Sequence, residues 1–122
     1  MKSPHKFNVG LLHVWHATRA AWHGLREAWR HEDAFRQEIA VAAIALPLAF
    51  WLPVDRTGKL MLASSILLVL ILELVNSAIE AAVDHTSLEQ HPLARRAKDV
   101  ASAAVLLAIL HAALVWGWLL LA

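Results

Sequence analysis

The sequence contains no cysteine, which excludes disulfides and thiolate chemistry and leaves any metal site to harder ligands. Glycine is nearly as scarce. Gly10, Gly24, Gly58 and Gly117 stand alone, so none of the glycine-rich loops that cradle nucleotide phosphates is present. Charged residues make up only 17% of the 122 positions and hydrophobic ones 59%, with mean hydropathy +0.53. A chain of this length has too little interior to hide that much apolar surface from water, so the composition predicts a single all-α membrane domain over residues 1–122. With a net charge of +1, nucleic acid is not an expected partner. Met1 to Asn8 lacks the basic start running into an apolar core that marks a secretory signal, so none is expected.

Residues up to Val9 read as a weakly ordered leader. From about Leu11 to His31, Trp15, Trp22 and Trp29 recur every seven residues beside a basic stripe of Arg19, His23, Arg26 and Arg30. That pattern predicts an amphipathic helix lying at the membrane surface. Asp33 is the expected N-cap of a first span over about 34–54, interrupted by Pro47 and closed by a turn at Pro53, Asp55, Arg56 and Gly58. A second span is expected over about 60–83, then a polar connection from Asp84 to Asp99, then a third span over about 100–122. On the third, Ala104, Ala108 and Ala112 form a small-residue seam suited to close helix contact.

Lys and Arg are unevenly spread: six lie in the leader and surface helix through Arg36, two in the first turn and three in the second connection. The positive-inside rule therefore places the N-terminus and the second connection in the cytoplasm and the C-terminus on the opposite side of the membrane.

The second span ends on an unusual stretch, Glu73-Leu-Val-Asn76-Ser-Ala-Ile-Glu80-Ala-Ala-Val-Asp84. At 100° per residue its four named polar groups share one stripe, with Ser77 at its edge and apolar residues elsewhere. Charge at membrane depth is expensive, so the stripe should face protein or a cavity, and it reads as a functional site. Carboxylates select hard cations, and Mg²⁺ is held by one or two of them together with phosphate oxygens. Glu80 with Glu32 suffices. Glu73, about two turns deeper, is placed to take a proton from a hydroxyl at the interface, while Lys98 and neighbouring arginines suit phosphate. From these residues alone the site is one for a divalent cation, a proton or phosphate. Asn76 also suits a bond to a neighbouring helix, Asp84 suits an ion pair with Lys98 or Arg95, and His111 reads as a neutral, hydrogen-bonded residue.

The pattern Glu-x-Val-Asn-Ser-Ala-Ile-Glu-x-x-Val-Asp at 73–84 resembles the signature of the small prokaryotic diacylglycerol kinases. Flanking blocks strengthen the likeness: Gly24-Leu-Arg26-x-Ala-Trp29, Glu32-x-Ala-Phe35-Arg36-Gln37-Glu38, and Arg96-Ala-Lys98-Asp99 leading to Ser102. The resemblance implies an interfacial helix and three spans per protomer in a bacterial inner membrane, which makes the side of the C-terminus the periplasm, a homotrimer with active sites shared between protomers, and Mg²⁺- and ATP-dependent phosphorylation of a membrane lipid hydroxyl. Carried over by position, Glu73 matches the family's proton acceptor, and Glu32 and Glu80 its metal-binding glutamates, which also meet ATP. Glu89, Gln90, His91, Lys98 and Asp99 match nucleotide contacts; Ser102 and the Phe35, Arg36, Gln37, Glu38 block match lipid-substrate positions, as does Glu73; Asn76 and Asp84 support the site. Two nucleotide positions depart from the pattern: His13 stands where relatives carry an arginine, and Ala20 where they carry a tyrosine.

Diacylglycerol is the expected substrate. Undecaprenol is the rival, since kinases acting on it share the signature, and His91-Pro-Leu-Ala-Arg-Arg resembles that group as well. A proton- or ion-conducting subunit is the alternative of another class. Against it, the apolar run from Leu60 to Leu72 offers no polar path across the bilayer.

Overall fold

The computed structural model describes residues 6–86 and 91–121 of the chain. Among them are four helices and no strand: α1 (Lys6–His31), α2 (Asp33–Trp51), α3 (Arg56–Thr86) and α4 (Pro92–Leu121). The chain divides into two units, one ending at His31 and the other beginning at Glu32.

The first unit is α1 by itself. It begins at Lys6, so the end of the expected leader is helical, and its Trp15, Trp22 and Trp29 are exposed in the spacing expected of an interfacial face. Within its last turns Glu27 pairs with Arg30 at 3.7 Å and with His31 at 3.2 Å.

In the second unit α3 is the central element, packed against both α2 and α4. All three helices are long and apolar enough to cross a membrane. At 1.5 Å per residue α2 is about 28 Å long, close to the ~30 Å hydrocarbon core, whereas α3 and α4 are about 45 Å and must project from it. Their outward faces are apolar: Ile71 and Val75 on α3 and Leu107, Leu110 and Leu114 on α4 are exposed, a pattern suited to lipid rather than water.

Several boundaries differ from the sequence reading, each for a local reason. Glu32, not Asp33, is the N-cap of α2, and it makes no side-chain capping bond; Asp33 is the first helical residue and pairs with Arg36 one turn on. Helix α2 runs through Pro47 and stops at Trp51. Arg56 and Gly58, expected in the turn, are already helical: Asp55 Oδ1 accepts from Gly58 N at 2.8 Å, the reach of an N-cap to the third residue of its helix. A Cβ at Gly58 would stand 3.0 Å from that same oxygen and 3.2 Å from Val54 Cβ, so the tight entry depends on glycine. The largest difference is the second connection. Helix α3 continues to Thr86 and α4 starts at Pro92, so Asp84, Lys98 and Asp99 stand on helices. Pro92 at the first helical position loses no bond by lacking an N–H, and His91 Nδ1 caps the helix by accepting from Leu93 N at 3.1 Å.

The core runs along heptad-like rows. On α4 the buried positions are Ala94, Ala101, Val105, Ala108 and Val115, a seam rotated from the expected Ala104, Ala108, Ala112 line, of which only Ala108 is buried. On α3 they are Gly58, Leu62, Ala63, Ser65, Val69, Glu73 and Asn76. The deep half of the polar stripe, Glu73 and Asn76, is thus a continuation of the apolar contact row, whereas Glu80 is half-buried and Asp84, expected to face protein or a cavity, is exposed near the helix end.

Candidate active site

Helix α3 carries its apolar packing residues and its polar groups on one face, so the geometry that fixes Leu62 and Val69 also fixes Glu73 and Asn76. Glu73 is 5% exposed and Asn76 8%. Both face protein, as their cost in lipid demands.

Facing them is Glu38 on α2. The carboxyls of Glu38 and Glu73 approach within hydrogen-bonding reach, and Glu32 and Glu80 lie within electrostatic range of Glu73. The arrangement follows from antiparallel packing. Glu32 and Glu38 are six residues apart on α2, Glu80 and Glu73 seven apart on α3, so the four glutamates form a shallow pair and a deep pair separated by about 10 Å. Two facing carboxylates have no donor between them, and they are held together only by a shared proton or a cation.

Buried polar atoms without partners collect here. Glu38 Oε1, Asn76 Oδ1 and Ser77 Oγ are sealed from solvent and make no hydrogen bond. A buried unpaired polar atom costs about 1–3 kcal/mol, and such a cluster marks a place built for something other than stability. From Glu38 an apolar groove of about 250 Å³ runs into the membrane-spanning part, lined by Val41, Ile66, Val69, Leu70, Ile109 and Ala112.

The shallower end of the site is tied together by an ion pair: Lys98 Nζ on α4 lies 2.9 Å from Asp84 Oδ1 on α3. Asp99 and Ser102 are exposed on α4 and Gln37 on α2, while Phe35 is buried in the helix contact at 3% exposure and Arg36 is engaged by Asp33. His91 is occupied as the cap of α4. His111 is on an exposed face of its helix. Glu89 and Gln90 lie outside the described residues. His13 and Ala20 are exposed positions of α1, in the other unit.

Two features were not drawn from the sequence. One is the opposition of Glu38 and Glu73, which the matched depth of the two glutamate pairs would have indicated. The other is the unpartnered hydroxyl of Ser77, whose signal was its spacing of four residues from Glu73.

Among the described residues no three His, Asp or Glu side chains converge as a ready-made metal cage. The available donor set, carboxylates in pairs with no thiolate, fits a hard cation that brings oxygen ligands of its own from phosphate and water.

Comparison with known proteins agrees with the pattern. The sequence model described as prokaryotic diacylglycerol kinase matches residues 19–120. A diacylglycerol kinase of Pseudomonas aeruginosa is 43% identical over 119 residues, covering 98% of this chain and 97% of the relative. That of Escherichia coli K12 is 48% identical over 102 residues, covering 84% and 78%, and that of Haemophilus influenzae 42% over 111 residues, covering 91% and 94%. These relatives carry the name of the diacylglycerol enzyme, and neither undecaprenol phosphorylation nor ion conduction is favoured. A family match over most of the chain, three apolar helices and a glutamate buried on the central one together make this a bacterial membrane protein that belongs to the prokaryotic diacylglycerol kinase family.

Proposed function

We infer that the chain phosphorylates diacylglycerol with ATP, and that Glu73 is the base of the reaction. The observation that carries this reading is a carboxylate held at 5% exposure on a helix long enough to cross the membrane, opposite a second carboxylate and surrounded by unpaired polar atoms. Such a group earns no stability by its position. A lipid hydroxyl whose acyl chains remain in the bilayer reaches this depth, whereas ATP approaches from the aqueous end, where Glu32, Glu80, Lys98 and Asp99 stand. The hydroxyl oxygen attacks the γ-phosphorus while its proton passes to a Glu73 oxygen. The bond from that phosphorus to the β–γ bridging oxygen breaks, leaving ADP and phosphatidic acid.

Glu32 and Glu80 are the residues that would hold Mg²⁺, each offering one hard oxygen donor and leaving the remaining positions to phosphate and water. Bound there, the cation would supply positive charge against the phosphoryl group being transferred. Lys98 adds a fixed positive charge, oriented by Asp84. Glu38 holds the second acceptor facing Glu73, and Phe35 fixes the start of α2 by packing. The exposed apolar faces of α3 and α4, and the nucleotide positions His13 and Ala20 on α1, fit a homotrimer in which neighbouring protomers complete each site. The Lys/Arg distribution orients the N-terminus and the site toward the cytoplasm and the C-terminus toward the periplasm.

The test is phosphate transfer from labelled ATP by purified protein, with and without Mg²⁺, to diacylglycerol and to undecaprenol in parallel. Mg²⁺-dependent labelling of diacylglycerol is expected. Preferential labelling of undecaprenol would move the substrate assignment, and labelling unaffected by chelation would remove Mg²⁺.

A further inference from the structure

The aqueous end of the site is short of positive charge. Glu32, Glu38, Glu73 and Glu80 gather there with Asp84, and Lys98, the cation among them, is already engaged by Asp84. Arg36 on α2 is likewise engaged, by Asp33. A nucleoside triphosphate stays anionic even with a divalent cation bound, and one ammonium shared with a carboxylate is a weak counter to it.

Two arginines near this level of α4 are uncommitted. Among the described residues the guanidinium groups of Arg95 and Arg96 take no hydrogen bond or ion pair, and both residues are exposed. They point different ways. At 100° per residue Arg95 stands about 60° round α4 from Lys98, whereas Arg96 stands about 160° round, on the far flank. That flank carries a groove of about 550 Å³ whose walls include Leu72, Val75 and Ile79 of α3 and Val100 and Ala104 of α4, with Arg96 as its charged group. The three α3 residues lie about 100–160° round that helix from Glu73, so the groove opens away from the carboxylates of its own protomer. Arg96 therefore has no use within the chain that carries it.

A second copy supplies one. Protomers of a closed membrane oligomer are related by rotation about an axis along the membrane normal, and such a rotation leaves depth unchanged. The 2.9 Å contact of Lys98 with Asp84 fixes the level of α4 against α3, and Arg96 is about 3 Å nearer the water at 1.5 Å per residue. In a neighbouring protomer that is the level at which phosphates enter. Charge then selects the occupant: an apolar helix face of a second copy fills the groove, and the neighbour's carboxylate-rich site, which must accept phosphate, takes the cation. A phospholipid would satisfy the groove and the guanidinium but leave that site without its counter-charge.

We propose that Arg96 acts across the interface: with a second copy of this chain seated against the groove, its guanidinium binds the phosphates of the nucleotide held in the neighbouring protomer's site. This rests on the reading that ATP binds beside Glu80 and Lys98 with Glu73 as the base. The two are tested apart, because that reading is decided in oligomers of one kind of chain and this one by where Arg96 acts in mixed oligomers.

In oligomers of Arg96→Gln alone, KM for ATP is expected to rise about tenfold or more, the loss of a hydrogen bond to a charged group, with KM for diacylglycerol and oligomer size on gel filtration unchanged. Arg96→Lys, which keeps the charge without the planar fork, should lose less. Mixed oligomers then locate the arginine. Arg96→Gln and Glu73→Gln chains carrying different tags are co-expressed and purified through both tags, so that only the Arg96→Gln protomers retain Glu73. Native chains mixed with Glu73→Gln chains in the same way define the native KM. Across an interface, some of the working sites receive an intact Arg96 from a Glu73→Gln neighbour, and part of the activity regains the native KM for ATP. Activity that keeps the raised KM throughout would put Arg96 in its own protomer's site and overturn the proposal. An unchanged KM in oligomers of Arg96→Gln alone would overturn it as well, pointing to lipid phosphate where the substitution is felt only in anionic vesicles, or to a strut between chains where the oligomer comes apart. If Arg96→Gln fails to assemble, Arg96→Lys carries the same mixing experiment.

Discussion

The two ends of the helical unit treat buried polar atoms in opposite ways. Where α2 passes into α3, every polar group near the core that bears on the turn is paired. Trp116 Nε1 donates to Ser65 Oγ at 3.1 Å and Leu62 O at 3.3 Å; Lys59 Nζ donates to Phe50 O and Leu52 O, both at 2.7 Å, closing the end of α2; and Asp55 caps α3. Around them Ala49 and Leu62 are completely buried, with Ala63 and Val115 nearly so. At the other end three buried oxygens have no partner and two carboxylates face each other. The first end is built to hold the helices together. The second is left incomplete, which costs stability and is tolerable only because the first is so well satisfied.

The sharpest way to break this contrast is Glu73→Gln, which is nearly isosteric and removes the charge. A positioned base commonly contributes about 10²- to 10⁴-fold, so kcat should fall by that factor while KM for ATP stays within a few-fold. Thermal inactivation should be unchanged or delayed, because the expense of a buried charge has gone. Steady-state kinetics and a melting curve on one preparation decide it: a folded variant with near-native kcat would take Glu73 out of the chemistry.

The mirror experiment is Leu62→Ala at the closed end. Leu62 is fully buried among Ala49, Ala63 and Val115. Within a bilayer the transfer from water contributes little to packing, so the loss should sit at the low edge of the range for core truncations, about 2 kcal/mol, through cavity formation and lost dispersion contacts. Unfolding in mixed micelles should register that loss while kcat per folded molecule is kept. Next in size is Trp116→Phe, which removes the indole donor but leaves Ser65 bonded to Leu62 O at 2.8 Å. About 1 kcal/mol of stability should go, again with kcat retained. If Trp116→Phe instead lowered kcat as much as Glu73→Gln, the separation of the two ends would be false.

The sequence announced the incomplete end more plainly than the complete one. Four polar residues on one stripe of an apolar helix are visible because charge is rare in such company, and burial of Glu73 and Asn76 follows from the same expense. The family motif then supplied roles. Helix ends were less legible, since they depend on pairings across the fold. Nothing local in Asp84 to Asp99 indicates that most of it is helix; that follows from Lys98 meeting Asp84 and from His91 capping Pro92 onward. Likewise nothing local to Trp116 shows that its indole is committed to Ser65, 51 residues away.

The smallest effect on stability, and the one that refines the comparison most, concerns Asp84 and Lys98. Their 2.9 Å pair is partly solvated, with side chains 23% exposed at Lys98 and 52% at Asp84, so it contributes at most about 1 kcal/mol. In that respect it is a weak strut between α3 and α4. Asp84 lies one turn beyond Glu80 on α3, which gives the pair a second use at the aqueous end of the site, and two substitutions separate the two. Asp84→Asn leaves the ammonium in place, whereas Lys98→Met removes it and keeps much of the stem. A strut alone predicts the same small loss of stability from both and no change in KM for ATP from either. An ammonium that also meets a nucleotide phosphate predicts a further effect of Lys98→Met only. A hydrogen bond to a charged group is worth about 1.5–3 kcal/mol, so KM for ATP should rise tenfold or more, with only a small change for Asp84→Asn. Raising the ionic strength should weaken the strut in the native protein without reproducing the Lys98→Met phenotype, because exposed pairs are screened more than partly buried ones. Equal KM values for the two variants would leave Lys98 a structural residue and make the aqueous end of the site, like the closed end of the unit, a device for holding helices.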